Sequence, residues 1–503
     1  MRLYVCKLVV NEQGVLLLTL SVSVASLRHH QSIFFLALYI ISIGEGGHKP
    51  CVQAFAADQF NDDVPQEKAA KSSFFNWWYS GIVSGASVSL LFVVYVQDSI
   101  SWGMAYAILA AAVAAALGLF LMGIPTYRRQ EPLGSPCWSH QCGRDEWMRR
   151  TVTAGFVLKI GGLEAMPMGE VGSKLWLGQL SSGICRFLFH FWDFHIFYVN
   201  ILIEVDNGRF LDKAMIVDNI DASSKTRNHW RLCPVNQVEE VKLLLRLVPI
   251  WLTSLMFTIV FAQLSTYFTK QGSTMIRSIN GSRFQIPAAS LQAINGITIV
   301  IFTVIYDRIL VPVTRKITGR PSGITILQRM GIGHFISIFT MIIAGVMEAK
   351  RVRVARQHGL IDSPKSTVPM RVWWLLPQYI SCGTSLVFTI VGMQELFYDQ
   401  IPEGMRSMGA AAYISTVGVG SFLSSAVISI VQAISSRTGH QWLVDDLNRA
   451  HLYYFYWMLA GLSALNLCFF LWFAKGFEYK KIEWNDPNEE KISLNGYSNN
   501  GRR

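Results

Sequence analysis

About ten stretches of roughly 20 mostly apolar residues punctuate this chain, the length a helix needs to cross the hydrocarbon of a bilayer. One group covers residues 14–27, 32–54, 74–96 and 102–124, the first of them short. The other covers 243–266, 288–310, 324–346, 372–395, 408–430 and 452–474. Lipid offers no partner to a backbone N–H or C=O, so runs of this kind fold as helices that satisfy their own backbone. The expected fold class is therefore an all-α membrane protein. Composition agrees: of 503 residues, 51% are hydrophobic and 15% charged, with a mean hydropathy of +0.33. A soluble globular chain carries about 25% charged residues.

The charge of +11 and pI near 9.2 could suggest nucleic acid, but the Lys and Arg sit mostly in loops beside apolar runs. Headgroup attraction and membrane topology account for them there, and no nucleic-acid partner is expected. With both ends cytoplasmic, an even number of spans places Arg128, Arg129, Arg149 and Arg150 inside, together with Arg308, Arg315, Lys316 and Arg320 and the tail lysines 475, 480 and 481. The cations at 350–356 would then face outward, against the rule, as would the sequon Asn280-Gly281-Ser282, in keeping with it. The start, Met1 to Lys7, lacks a small-residue cleavage site, so the first span is expected to serve as the insertion signal. The polar stretch 125–237 reads as a cytoplasmic loop joining the two groups. Its aromatic segment 175–205 carries Arg186, His190, Asp193 and His195, which favours a surface helix over a span.

Eight cysteines without a C-x-x-C pair support neither a disulfide framework nor a zinc site. Cys137, His140 and Cys142 have no second ligand cluster beside them. No phosphate-binding glycine loop, H-E-x-x-H or nucleophile elbow occurs, so no enzyme activity and no cofactor is expected. The chemistry-bearing feature is Gly46-Gly47-His48-Lys49-Pro50-Cys51, which sets a lysine near the end of the apolar run that begins at Ser32. A cation there is costly unless it meets a carboxylate or a wet cavity, and so marks an ion or solute path. The alternative is an ammonium snorkelling to the interface. Glu45, four residues earlier on the same face, could pair with Lys49 locally. Trp77, Trp78, Tyr79, Trp373, Trp374 and the aromatic run 453–457 lie near span ends, where interfacial belts form. Gly81, Gly85, Gly418 and Gly420 suit close helix approach.

Several motifs resemble the plant nitrate and peptide transporter family, a branch of the proton-dependent oligopeptide transporters in the major facilitator superfamily. They are the Lys49 motif with Ala57-Asp58-Gln59-Phe60, Phe74-Phe75-Asn76-Trp77-Trp78-Tyr79, Val238-Glu239-Glu240-Val241-Lys242, and Leu247-Val248-Pro249-Ile250-Trp251. Tyr306-Asp307-Arg308, Gln328-Arg329-Met330-Gly331, Gln394-Glu395-Leu396-Phe397-Tyr398-Asp399-Gln400 and Asp445-Asp446-Leu447-Asn448 extend the likeness. It implies a rocking pair of helix bundles, twelve helices in the family's usual form, exchanging protons and a small-molecule or anion substrate by alternating access. On that template residues 1–124 form an incomplete N-terminal bundle, 125–237 the central loop, 238–481 a C-terminal bundle and 482–503 a cytoplasmic tail. About ten of the usual twelve helices are then present. The family's first-helix E-x-x-E-R cluster, the coupling partner of Lys49, is absent from the sequence, and 136–206 has no recognisable counterpart.

The resemblance places Lys49, Glu45, Phe261, Gln263, Leu386 and Glu395 in the coupling and cavity set. Leu386 stands where many peptide carriers have a carboxylate, and Phe261 where some nitrate carriers have a histidine, so neither solute is specified. Asp307, Arg308, Arg315 and Arg320 correspond to a charged cytoplasmic gate. The expectation is a proton-coupled carrier of nitrate, di- or tripeptide or another organic anion in the plasma or vacuolar membrane. The competing reading is a truncated, transport-inactive membrane protein acting as an interaction partner of longer relatives.

Overall fold

A computed structural model describes residues 2–24, 31–60, 65–128, 235–278, 285–319, 323–361, 363, 366–401, 406–437, 442–444, 446–477 and 479. The segment 175–205, the central loop from 129, the sequon, Arg320 and the tail lie outside the described residues. An N-terminal group comprises α1 (Arg2–Ser23), α2 (Gln31–Ala57), α3 (Pro65–Ser99) and α4 (Trp102–Met122). A C-terminal group comprises α5 (Val235–Ala262), α6 (Tyr267–Ser273), α7 (Gln292–Ile305), α8 (Val311–Thr318), α9 (Ile326–Gln357), α10 (Leu376–Asp399), α11 (Arg406–Arg437) and α12 (Leu452–Gly476). A short parallel pair, β1 (Met275–Ile276) and β2 (Val368–Arg371), ties the chain after α6 to the chain before α10.

Among the described residues, 8 helical stretches are long and apolar enough to cross a membrane. They match the sequence spans from 74 onward, with starts within two residues and several ends running 7 to 11 residues further, as at Gln357 where 346 was expected. The N-terminal pair departs from expectation: α1 and α2, 22 and 27 residues long, are not among those 8, and α1 begins well before the run at 14. Both helices carry charge, Glu12 in α1 and Glu45 with Lys49 in α2, which lowers their hydropathy without preventing a helix.

Local chemistry fixes several helix ends. Ser101 caps α4 by accepting from the Met104 N–H, and Thr325 with Gln328 forms a reciprocal capping box at the start of α9. Between α7 and α8 the helix widens to a π turn over Tyr306–Leu310, where Val311 donates back to the Tyr306 carbonyl. Pro312, next in the chain, has no N–H with which to continue an α pattern. The added residue of a π turn rotates the helix before it relative to the helix after it, and such turns recur at functional sites.

Within the N-terminal group α1 packs on α2 and α4, and α3 on α4. Within the C-terminal group α9 packs on α10 and α12, α5 on α11 and α12, and α7 on α10. The groups meet along a seam where α3 lies on α7 and α10 and α2 lies on α11. Of the glycines expected at close approaches, Gly420 meets Thr258 of α5, whereas Gly81, Gly85 and Gly418 face open space. The close approach at the seam is made instead by Gly296 of α7, against the Ser87 side chain of α3. An apolar cluster of Ala54, Ala57, Phe75, Val391 and Tyr398 fills the seam near the ends of α2 and α10.

Candidate functional site

The inner end is taken here as the end where α4 runs out and α5 begins, the end expected to be cytoplasmic. On its α3 face, Ser73, Asn76 and Trp77 fall at i, i+3 and i+4 and so point the same way. All three donate to the Asp307 carboxylate: the Ser73 hydroxyl at 3.0 and 3.1 Å, the Asn76 Nδ2 at 3.3 Å and the Trp77 Nε1 at 3.2 Å. Trp77 thus holds the Asp307 carboxylate as well as sitting at a span end. The π turn presents Asp307 to α3 and turns Tyr306 inward, where it is buried.

Arg329, in the first turn of α9, sits against the other side of Asn76. Its guanidinium is 2% exposed and donates through Nη2 to Asn76 Oδ1 at 2.7 Å and to the Val387 carbonyl at 2.9 Å. Nη1 lies 3.6 Å from a Glu395 oxygen, and the Tyr306 ring lies 4.0 Å from the guanidinium carbon. A buried cation needs pairing and hydrogen bonds to be tolerated, and this site supplies a carboxylate, a carbonyl, an amide and an aromatic face. The result is a chain Glu395–Arg329–Asn76–Asp307 that crosses the seam twice.

A second polar group joins the halves at the same end. The Tyr398 hydroxyl donates to Asp58 at 2.6 Å, and Arg406 reaches the same carboxylate oxygen at 3.5 Å. Lys71 of α3 lies 4.0 Å from Asp399 and 4.6 Å from the centre of the Tyr398 ring. Glu395, Tyr398 and Asp399 are spaced i, i+3 and i+4, so one turn of α10 feeds both groups. Beside them, Arg128 closes back on the turn after α2, pairing with Glu67 at 3.0 Å and donating its N–H to Gln59 at 2.9 Å. A cavity of about 460 Å³ opens between these residues, Phe60, Ala70 and Thr126.

The expected pair of Lys49 and Glu45 forms, at 2.6 Å, and the Asn11 amide of α1 donates to Glu45 at 3.3 Å. The Lys49 side chain is 60% exposed. The other expected cavity residues lie apart from that pair. Leu386 is 1% exposed in the apolar core, and Phe261 is half-buried against it. Gln263 is buried between α5 and α11, donating to Ser424 at 3.0 Å. Glu395 belongs to the Arg329 chain. Of the expected gate residues, Asp307 is engaged across the seam, while Arg308 and Arg315 are exposed on the turn and on α8.

At the outer end of α9, Glu348 and Arg351 are fully buried and paired at 2.7 Å. Gln271 donates to Glu348 at 2.5 Å, and Arg351 donates to Asn448 at 2.8 Å and to the Leu447 carbonyl at 2.7 Å. This disposes of part of the topological conflict at 350–356, since Arg351 is a neutralised interior cation, and Lys350 lies over the Trp374 ring. Sequence reading left Arg329, Asn76 and Glu348 out of the site. The signal was present for the first: an arginine a turn inside an apolar helix invites the argument applied to Lys49.

Comparison with known proteins bears on this arrangement. The POT family model matches residues 3–144 and 188–443. The matched residues include 136–144 and 188–206, so the stretch read as lacking a counterpart narrows to 145–187. Protein NRT1/PTR FAMILY 5.4 of Arabidopsis thaliana is 50% identical over 481 residues, covering 95% of this chain and 82% of its own length. Protein NRT1/PTR FAMILY 5.12 of the same plant is 43% identical over 479 residues, covering 93% and 78%. The crystal structure of an auto-inhibited POT family peptide transporter superposes with a TM-score of 0.59 at 21% identity, over 95% of this chain and 83% of that one. That of the POT family transporter PepTSo gives 0.58 at 17%, over 94% and 83%. At such identities the structures speak for the fold.

Proposed function

Because this chain belongs to the POT family, a family of membrane transporters with the major facilitator fold, we propose that it is a proton-coupled secondary carrier. Its solute is nitrate, a di- or tripeptide or another organic anion, moved by alternating access. The observation that carries this reading is the polar seam at the inner end, where α2 and α3 meet α10, α11 and the π turn through charged groups. Membrane helices are held by packing of small residues and by interhelical hydrogen bonds, and most of the polar contacts among the described residues of this chain stay within one group. A seam closed by hydrogen bonds and ion pairs is one that can be exchanged for water, which is what an alternating gate requires.

Lys49 is the cation assigned to the solute path. Support comes from its place within an apolar helix and from the carboxylate beside it: Glu45 neutralises the ammonium when no anion is present, at an interaction strength of about 0.2–0.5 kcal/mol. A solute anion can displace so weak a partner. The pair with Glu45 lies on one helix, so it supplies charge neutrality and no coupling across the cavity.

Uptake in oocytes or proteoliposomes tests the reading, with nitrate, dipeptides and hormone-like acids offered under an inward proton gradient. Accumulation of at least one of them that collapses with a protonophore is the expected outcome. Indifference to the gradient across all these classes would reject proton coupling. In the same assay Lys49→Ala is expected to lower accumulation of the anion at limiting concentration more than at saturation, and an equal loss at both would take Lys49 out of the binding path.

A further inference from the structure

Building on the reading of the chain as an alternating-access carrier, we propose that Arg329 is a positioning residue that holds the inner end closed through Asn76, by an ion–dipole latch in which the charge stays with one bundle. Most of what Arg329 touches belongs to its own group: the Glu395 carboxylate at 3.6 Å, the Val387 carbonyl at 2.9 Å and the Tyr306 ring at 4.0 Å. The partner across the seam is the Asn76 carbonyl, at 2.7 Å the shortest of these contacts. Asn76 in turn hands its amide to Asp307 at 3.3 Å, back in the C-terminal group. The α3 helix is thus gripped from both sides through one side chain, with a cation on its oxygen and an anion on its nitrogen.

Only a carboxamide meets both demands at this length. Aspartate would keep the bond to Arg329 but face Asp307 with like charge, and leucine would lose both bonds. The division of charge also makes the latch releasable. When the seam opens, Arg329 keeps Glu395, Val387 and Tyr306, so its own release breaks a hydrogen bond to a neutral amide, while the half-buried Asp307 exchanges its α3 donors for water. Separating a buried ion pair costs considerably more. The two ion pairs that do cross the seam, Asp58–Arg406 at 3.5 Å and Lys71–Asp399 at 4.0 Å, lie nearer solvent than Arg329, whose own crossing lets go at the cost of a dipole. The other charged groups around it, Lys71, Asp399, Asp58 and Arg406, gather on the Tyr398 side of the α10 turn.

Hydrogen–deuterium exchange on the purified full chain in nanodiscs tests this without any solute. The variants are Arg329→Gln, which removes the cation, and Asn76→Leu, which leaves Arg329 with its own partners and cuts only the crossing. In both, amides in the inner turns of α3 and α10 are expected to exchange about tenfold faster or more, as loss of a bond to a charged group implies, with the outer turns of the same helices unchanged. Unchanged inner exchange, or a rise of equal size at both ends, would reduce Arg329 to a structural residue and overturn the proposal. Should Arg329→Gln fail to fold, Asn76→Leu decides alone. End-selective opening in a chain that carries no solute would keep the latch and reject the transport reading. Intact proton-driven uptake with unaltered exchange would do the reverse.

Discussion

Charged residues inside apolar helices obey one rule and meet three fates here. Lys49 is matched by a carboxylate on its own helix and stays exposed, Arg329 is matched within its bundle and lends a bond across the seam, and Arg351 is fully buried against Glu348. The last fate makes a sharp prediction. Glu348→Leu leaves an unpaired guanidinium in the interior and is expected to cost about 3–5 kcal/mol, read as a large drop in melting temperature of the purified protein. Adding Arg351→Met should restore part of that loss, because an apolar pair of similar volume replaces the ions, although Asn448 and the Leu447 carbonyl then lack their donor. A double variant less stable than the single one would show that the pair is not the source of the effect. Lys49 stood out in the sequence because its motif is conspicuous, and its pairing with Glu45 followed from the i,i+4 spacing; Arg329 was equally open to the same argument. Asn76 was not, since an asparagine near a helix end has many ordinary uses and its two-sided pairing exists only in three dimensions.

At the scale of elements, the spans from residue 74 onward could be marked from hydropathy, and the way they pack could not. The reason is physical: a membrane helix is apolar toward lipid and toward protein alike, so no periodic stripe reports its buried face. In α3, Val93 and Val96 are buried while Ile82, Val88, Leu91 and Phe92 are exposed, with nothing in residue type to separate them. Glycines misled for the same reason, Gly81 and Gly85 facing open space while the seam contact falls to Gly296. A methyl group at 296 would run into the Ser87 side chain. Gly296→Ala is therefore expected to push α7 from α3 at a cost of about 1–3 kcal/mol, and Ser87→Gly in the same chain should recover most of it. Thermal denaturation of the three variants checks this, and failure of the second change to rescue the first would mean that α3 and α7 do not touch there.

For the whole molecule, the long polar stretch suggests an N-terminal and a C-terminal group of helices, and nothing in it points to where helices from before and after that stretch touch. The expected gate set was Asp307, Arg308, Arg315 and Arg320; among its described members Asp307 is the one that the structure bonds across the seam, through Ser73, Asn76 and Trp77 of α3, with Arg329 of α9 on the far side of Asn76. Such a site is assembled from residues some 230 to 250 positions apart in sequence, which spacing cannot reveal. The assembly has a further consequence for cooperativity. The Asn76 chain and the Asp58 group have no residue in common, yet both end on one turn of α10, through Glu395 and through Tyr398. If that turn moves as a unit, breaking either group should loosen the other. A double-mutant cycle with Asn76→Leu and Asp58→Asn, read by the rate of inner-end exchange, measures this. Independent groups would give effects that add to within about 0.3–0.5 kcal/mol, whereas sites joined by a shared backbone element differ from additivity by about 0.5–3 kcal/mol. The expected sign is that the second change costs less than the first, because the α10 turn has already been released. Strict additivity would mean that the inner end is closed by separate clasps, and that its opening can proceed through half-released states.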